Sequence, residues 1–61
     1  MKFEIGDVVK LKSGGPEMTV AQYPFKTMEG VEYPDKVKCE WFNEEYHLKN
    51  DVFHIEEVEK L

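Results

Sequence analysis

The sequence predicts an all-β fold, a small SH3-like five-stranded barrel with a short helical turn near the C-terminus. Short segments in which apolar and polar residues alternate recur along the chain, and clusters of Gly, Pro, Ser and Asn separate them. The chain has 61 residues, which limits it to a single domain over residues 1–61. In so small a domain, closing the sheet into a barrel removes the edges that would otherwise be exposed.

The first two strands are predicted on either side of the segment "SGGPE". The alternation in "DVVKLK" predicts a strand from Asp7 to Lys12, with Lys10 and Lys12 directed to solvent. A bend at Gly6 precedes it, where the Asp7 side chain can bond to nearby backbone. "MTVAQY" predicts a second strand over residues 18–23, so the two strands form a hairpin with a loop of several residues.

The loop of this hairpin has two interpretations. Ser, Gly and Pro are typical turn residues, and Pro16 lacks the N–H group that a phosphate-binding loop would use. A turn is therefore favoured over a phosphate site. Because loops on rigid scaffolds often carry function, four residues remain binding candidates: Lys12, Ser13, Gly14 and Gly15.

The middle of the chain, residues 24–36, has no regular pattern. Pro24 and Pro34 cannot donate to a central ladder, so we expect a loop or an edge excursion. Within it, "MEGVEY" could form a short strand or a pair of turns. An irregular segment of this length in a small domain often has a function.

The clearest strand is "VKCEWF", residues 37–42. Its alternation places Val37, Cys39 and Trp41 on the core face and leaves Phe42 on the opposite, polar face. The core is therefore expected to include Trp41, whereas Phe42 is expected to be exposed.

The C-terminal part is predicted to form one strand, a helical turn and a closing strand. After a turn at residues 43–45, "YHLKNDVF" predicts a strand with Tyr46 and Leu48 on one face. Apolar residues in the last segment, residues 54–61, have helical spacing, but the segment is too short for a stable helix. We therefore expect a single helical turn followed by a strand that closes the sheet.

The net charge disfavours nucleic acid as the partner. The formal net charge is −5, and all eight basic residues are lysines. Phosphate binding depends on clustered basic side chains, and bidentate recognition prefers arginine. The acids concentrate from Glu44 onward, and this acidic part is either a solvated surface or a surface that docks on a basic partner.

The single cysteine and the two histidines form no catalytic pattern. Cys39 lies between apolar residues and is interpreted as a buried structural thiol, because no base accompanies it as a nucleophile would require. A metal site that combines Cys39 with His47 and His54 is the lesser alternative. No enzyme activity, cofactor or metal is therefore predicted.

Aromatic residues are the main functional lead, because they bury much area at low entropic cost. Their alternative role is to close the ends of a small barrel. The partner-binding candidates are Phe42, Tyr46, Tyr33, Phe25 and Tyr23. We expect a non-catalytic module that binds a protein partner, or a second copy of itself, through an exposed aromatic surface.

The alternative function is a nucleic-acid- or ribosome-associated module of SH3-like fold. It would bind phosphates through a lysine face that consists of Lys10, Lys12, Lys36 and Lys38. Binding of this kind weakens steeply as salt is added, which distinguishes it from an aromatic protein-binding surface.

The expected location is the cytoplasm, without membrane association. Glu4 and Asp7 interrupt any apolar signal-peptide region near the start. No apolar run approaches the roughly 18 residues of a membrane span. One unpaired thiol fits a reducing compartment.

One long motif resembles a known family. The string "IGDVVKLKSGGPEMTV", followed by "VKCEWF" and a late phenylalanine, is similar to the pattern of the YodC-like family of small uncharacterised bacterial proteins. The matching positions are Gly6, Asp7, Val8, Val9, Leu11, Lys12, Ser13, Gly14, Gly15, Pro16, Met18, Thr19, Val20, Cys39, Trp41, Phe42 and Phe53. The resemblance implies a small β-barrel, no established activity and no catalytic residues. The segment Gln22 to Lys36 is longer than the family's link and the tail is more acidic, so no ligand site is carried over from that link.

Overall fold

The computed structural model describes residues 3–61 and consists mostly of antiparallel strands. The elements in chain order are β1 (Val8–Leu11), β2 (Met18–Gln22), β3 (Phe25–Lys26), β4 (Glu32–Tyr33), β5 (Lys36–Phe42), β6 (Leu48–His54), a 3-10 helix (Ile55–Glu57) and β7 (Val58–Lys60). The predicted longer strands, the helical turn and the closing strand are confirmed, with ends that differ by one or two residues.

Five strands form one sheet in the order β6-β5-β2-β1-β7, and β3 and β4 form a separate two-stranded sheet. The all-β class is therefore confirmed, but the closed barrel is not. β6 and β7 stand at opposite ends of the order, and within residues 3–61 they do not pair. The physical reason is that β7 has three residues and, in the described part of the chain, pairs only with β1. The sheet is left with two edges.

The core lies on one face of this sheet, where alternate side chains meet. Val9 pairs with Met18 across β1 and β2, and Val20 pairs with Cys39 across β2 and β5. The buried residues are Phe3, Val9, Met18, Val20, Val37, Cys39 and Val58. Trp41, expected in the core, is half-buried and packs against this layer, because it lies near the end of β5.

The middle of the chain forms a small hairpin rather than an unstructured loop. Phe25 pairs with Tyr33 in the β3–β4 ladder. Its turn is closed where the Thr27 carbonyl accepts a hydrogen bond from the Gly30 N–H at 3.0 Å. Gly30 has φ 91°, a conformation that glycine adopts without strain. Of the two alternatives for "MEGVEY", a short strand or a pair of turns, the structure shows the short strand β4.

The chain bends before β1 as the sequence predicts. The Asp7 carboxylate accepts a hydrogen bond from the Glu4 backbone N–H at 2.9 Å and lies 3.4 Å from the Lys60 ammonium group. These contacts tie the start of the chain to β7, the last strand. The 3-10 helix before β7 is capped by His54, whose backbone N–H donates to the Glu57 carboxylate at 2.9 Å.

Tyr46 does not lie in a strand, which corrects the prediction that it shares a face with Leu48. β6 begins at Leu48, and Tyr46 occupies the turn before it with φ 63°. Asn43 stabilises this turn, because its side-chain oxygen accepts hydrogen bonds from the Glu45 and His47 backbone N–H groups, both at 2.9 Å.

Candidate functional site

The β1–β2 loop and the β5–β6 turn lie at the same end of the sheet, because β2 and β5 pair antiparallel. A concave surface of about 660 Å³ opens at this end. Its lining residues are Pro16, Trp41, Phe42, Asn43, Glu44 and Glu45. This surface, which we call the tip groove, thus combines a proline, two aromatic rings and two carboxylates.

The β1–β2 loop reverses the chain and presents Pro16 to the tip groove. Gly14 and Gly15 have φ 107° and 117°, values that only glycine adopts readily. The Gly14 N–H donates to the Leu11 carbonyl at 2.9 Å, so the turn itself uses this donor. The favoured interpretation as a turn is confirmed.

The other two loop candidates face a second, smaller hollow. Lys12 and Ser13 line a concavity of about 290 Å³ that Leu11, Phe53 and Glu57 complete. The structure therefore divides the predicted binding loop: its start borders this hollow, and Pro16 borders the tip groove.

Tyr46 stands at the tip of the β5–β6 turn with 84% of its surface exposed. Its backbone N–H donates to the Asn43 carbonyl at 2.9 Å, and the Asn43 N–H donates to the His47 carbonyl at 3.0 Å. A type I turn followed by one left-handed residue is a common short hairpin loop, in which glycine usually fills the left-handed position. A tyrosine there costs about 1–2 kcal/mol of conformational free energy.

Phe42 and Leu48 form an exposed apolar pair beside this turn. They are direct partners in the β5–β6 ladder, and their exposed fractions are 63% and 54%. The prediction that Phe42 is exposed on the face opposite the core is confirmed. Trp41, one residue earlier, is held against Phe53 with ring centroids 6.2 Å apart. In the tip groove, the Trp41 ring is therefore held in place by packing, whereas the Phe42 ring is exposed.

The other three aromatic candidates lie at the opposite end of the sheet and contact each other or the core. Phe25 and Tyr33 stack with their centroids 6.2 Å apart, and the Lys36 ammonium lies 5.2 Å from the Tyr33 ring centre. The Tyr23 ring packs edge-on against Phe3 at 5.6 Å. β5 spans seven residues between the two ends, a length of about 20 Å. The five aromatic candidates thus form two separate groups.

The four lysines of the alternative interpretation do not share a uniformly basic surface. Lys10 stands opposite Glu59 in the β1–β7 ladder. Lys38 is two residues from Glu40 on β5, so their side chains share a face. Lys36 lies over Tyr33, and Lys12 borders the second hollow together with Glu57. Each lysine has an acid or an aromatic ring close to it in the fold.

Cys39 is fully buried, and burial raises the pKa of its thiol to about 11. The thiol is therefore protonated at neutral pH and a poor nucleophile. His47 and His54 are both exposed, and each is near a carboxylate: His47 Nδ1 lies 3.9 Å from Glu45, and His54 Nε2 lies 3.5 Å from Asp35. Among residues 3–61, the structure brings no three His, Cys, Asp or Glu side chains together as a metal site.

Sequence reasoning missed the part that Trp41 and Pro16 play in the tip groove, because the alternation in "VKCEWF" predicts Trp41 in the core and "SGGPE" predicts only a turn. The sequence predicts Glu44 and Glu45 as part of the acidic segment, for which docking on a basic partner is one alternative, but not as neighbours of Pro16. The available signal was "NEEYH", in which Asn43 can close a tight turn while no glycine follows to fill its left-handed position.

A family model described as "Uncharacterized small protein (DUF2158)" matches residues 4–58. No curated protein and no solved structure matches the chain. Over residues 3–61, no helix has both the length and the apolar character needed to cross a membrane.

Proposed function

The chain belongs to this family of uncharacterized small proteins, and on that premise we propose that it is a non-catalytic binding module. Its partner is a protein that supplies an extended segment carrying lysine or arginine, and its binding site is the tip groove together with Tyr46. The single observation that carries this proposal is Tyr46, a large aromatic side chain that is 84% exposed in a conformation favouring glycine.

The exposed ring and the left-handed backbone of Tyr46 support a role in binding, because neither stabilises the folded chain. A non-glycine residue in a left-handed conformation costs stability, and such residues concentrate at functional sites. Burial against neighbouring side chains could offset the cost, but most of this ring is exposed. Contact with a partner would bury the ring and provide the compensation that the free protein lacks.

The chemistry of the tip groove supports a basic partner segment. Glu44 and Glu45 line it together with the exposed Phe42 ring. A lysine or arginine side chain fits this combination, because its charged end pairs with a carboxylate while its methylene stem covers an aromatic ring. The net charge of −5 draws such a segment toward the whole molecule.

We also propose that the sheet belongs to the SH3-like class and that the chain falls within the YodC-like group. The antiparallel order β6-β5-β2-β1-β7, the 3-10 helix before the last strand and the bulge between Val20 and Gln22 support an SH3-like, strongly bent sheet. The motif "GDVVKLKSGGPEMTV" supports the finer family grouping. A cytoplasmic location is proposed on the free thiol alone.

Selection from a phage-displayed library of random peptides tests the proposed function. We expect the enriched peptides to carry a net positive charge. We expect Phe42→Ala to bind them at least about tenfold more weakly, which is the loss typical of a residue that dominates an interface. Met28→Ala is the control, because Met28 is an exposed apolar residue, more exposed than Phe42, that belongs to the turn of the β3–β4 hairpin. Acidic enriched peptides, or affinities that do not change in Phe42→Ala, would contradict the proposal.

The alternative, a nucleic-acid-associated module, has less support. A phosphate backbone requires several free cations on one surface, whereas Lys10 faces Glu59 and Lys36 is engaged with Tyr33. Titration with single-stranded and duplex RNA at low salt distinguishes the two functions. Tight, strongly salt-dependent binding that Phe42→Ala does not weaken would favour the alternative.

A further inference from the structure

The outer edge of β6 has a self-complementary sequence, and we propose that two copies of the chain form a symmetric dimer through this edge. In this dimer, β6 of one copy pairs antiparallel with β6 of the other about a two-fold axis at Asn50. β6 has seven residues and, within residues 3–61, pairs only with β5, so one whole side of it is open there. Open edges of this length readily accept another strand.

The backbone groups of alternate β6 residues point to the open side. The Val52 N–H donates to the Asp51 carboxylate at 2.7 Å, and the His54 N–H donates to the Glu57 carboxylate at 2.9 Å, rather than to β5. Because the pattern alternates along an antiparallel strand, the groups of Leu48 and Asn50 point outward as well. Pairing about Asn50 uses the Asn50 N–H and carbonyl of both copies.

The side chains of β6 specify this register. When Asn50 of one copy stands opposite Asn50 of the other, Lys49 stands opposite Asp51 of the second copy. The same pair occurs a second time by symmetry. On the other face of the strand, Leu48 stands opposite Val52. A shift that centres the axis on Asp51 would place two aspartates opposite each other, which is destabilising. The sequence of the edge thus favours one register over its neighbour.

Lys49 and Asp51 make no charge pair among the residues that the structure describes. Across the β5–β6 ladder, Lys49 stands opposite Trp41 and Asp51 stands opposite Cys39. Neither takes part in the ion pairs that occur within residues 3–61. Their opposite charges are therefore free to pair between copies, and the Asp51 carboxylate that covers the Val52 N–H in the single chain moves to Lys49 of the second copy.

The apolar residues of the same edge gain burial in the dimer. Leu48 is 54% exposed beside the exposed Phe42 ring. Pairing about Asn50 places Val52 of the second copy on the open side of Leu48, so Leu48 lies between two apolar side chains. The other edge of the sheet, β7, has three residues and offers no such pattern.

Exchange of the two charges tests the register. Lys49→Asp and Asp51→Lys each place like charges opposite one another twice, so each should raise the dimer dissociation constant about tenfold in sedimentation equilibrium. The double variant with both substitutions restores both opposite-charge pairs, and we expect it to restore dimerisation. Sedimentation is measured on the protein without peptide, so the outcome does not depend on peptide binding at the tip groove.

A cysteine placed on the axis gives a second, geometric test. Asn50→Cys brings two thiols opposite each other at a Cα separation of about 5.5 Å, which a disulfide can span. Mild oxidation should therefore cross-link this variant in high yield. Lys49→Cys is the matched control, because it meets Asp51 of the second copy and should cross-link poorly. The native Cys39 is fully buried and does not compete.

The proposal is overturned if the wild-type chain stays monomeric at every concentration tested. It is equally overturned if the chain dimerises but the single charge variants dimerise as the wild type does, or if the double variant stays as weak as the single ones. Equal cross-linking of Asn50→Cys and Lys49→Cys would also exclude the register.

Discussion

Tyr46 holds a left-handed conformation, with φ 63°, while most of its ring is exposed to solvent. The surrounding turn enforces this backbone through three hydrogen bonds to the backbone and side chain of Asn43 and one from its N–H to His47. A sequence under selection for stability alone would place glycine or asparagine here. A tyrosine at this position is what we expect when binding, rather than folding, determines the residue.

Cys39 should react only when the protein unfolds. Burial raises the pKa of its thiol to about 11, and the side chain has no solvent access. We expect iodoacetamide to label the native protein slowly, at a rate that follows the population of unfolded chain. Cys39→Ser should lower the free energy of unfolding by about 1–3 kcal/mol, because it buries a hydroxyl without a partner. Cys39→Ala is the control for the stability measurement, because it removes the sulfur without adding a polar group. Rapid labelling of Cys39 in the folded protein would contradict its burial.

Asp7 should make stability depend on pH in the acid range. The Glu4 backbone N–H, and then Lys60, hold the pKa of the Asp7 carboxyl below its ordinary value of 3.8. Because the folded pKa is depressed, this contribution is present above 3.8 and is lost as the pH falls through the folded pKa. In urea titrations, Asp7→Asn should be less stable than wild type at neutral pH, and the difference should shrink as the solution is acidified below that value. A difference that does not vary with pH would show that the charge is not involved.

The β1–β2 loop depends on backbone conformation at its glycines rather than on space around them. A methyl group at Gly14 or Gly15 would meet no atom within 4 Å, yet both have positive φ. Gly14→Ala should therefore lower the free energy of unfolding by about 1 kcal/mol for conformational reasons alone. Ser13→Ala in the same exposed loop is the control and should change stability by less. Equal stability of Gly14→Ala and wild type, measured by urea unfolding, would contradict the positive φ.

At the scale of the elements, the sequence allows the long strands to be predicted because their pattern is local. The alternation in "VKCEWF" reproduces β5 closely, and the prolines and glycines mark where strands stop. The apolar alternation predicts Tyr46 in a strand. The hydrogen bonds that the Glu45 and His47 backbone N–H groups donate to Asn43 override that pattern, and β6 begins two residues later, at Leu48.

At the scale of the whole molecule, the open edges of the sheet and the position of the groove could not be predicted. Both depend on pairing between distant strands: β1 with β7, and β2 with β5. The tip groove exists because these pairings bring Pro16 to the side of Glu44 and Glu45, residues that are far apart in sequence. The sequence identifies the aromatic residues that would bind a partner. It does not show that they lie in two groups at opposite ends of the sheet.

The small core makes the whole molecule sensitive to single core substitutions. Among residues 3–61, seven apolar residues form the buried cluster. A chain of this length has a total stability of about 3–9 kcal/mol. Met18→Ala should remove about 2–5 kcal/mol of it, because it leaves a cavity at the centre of the sheet. Met28→Ala, at a fully exposed methionine, is the control. Similar urea midpoints for the two variants would contradict the core as described.

Tyr46→Gly tests the central proposal most directly, because folding and binding should respond to it in opposite directions. Its free energy of unfolding and its affinity for the library-selected basic peptides would be measured together, beside wild type and Met28→Ala. Glycine relieves the strained backbone, so we expect unfolding to require about 1 kcal/mol more, while removal of the ring abolishes peptide binding. A variant that is more stable and still binds would contradict a role for Tyr46 in binding. A variant that is less stable would show that the ring supports the fold, and the reason for placing the site at this tip would be lost.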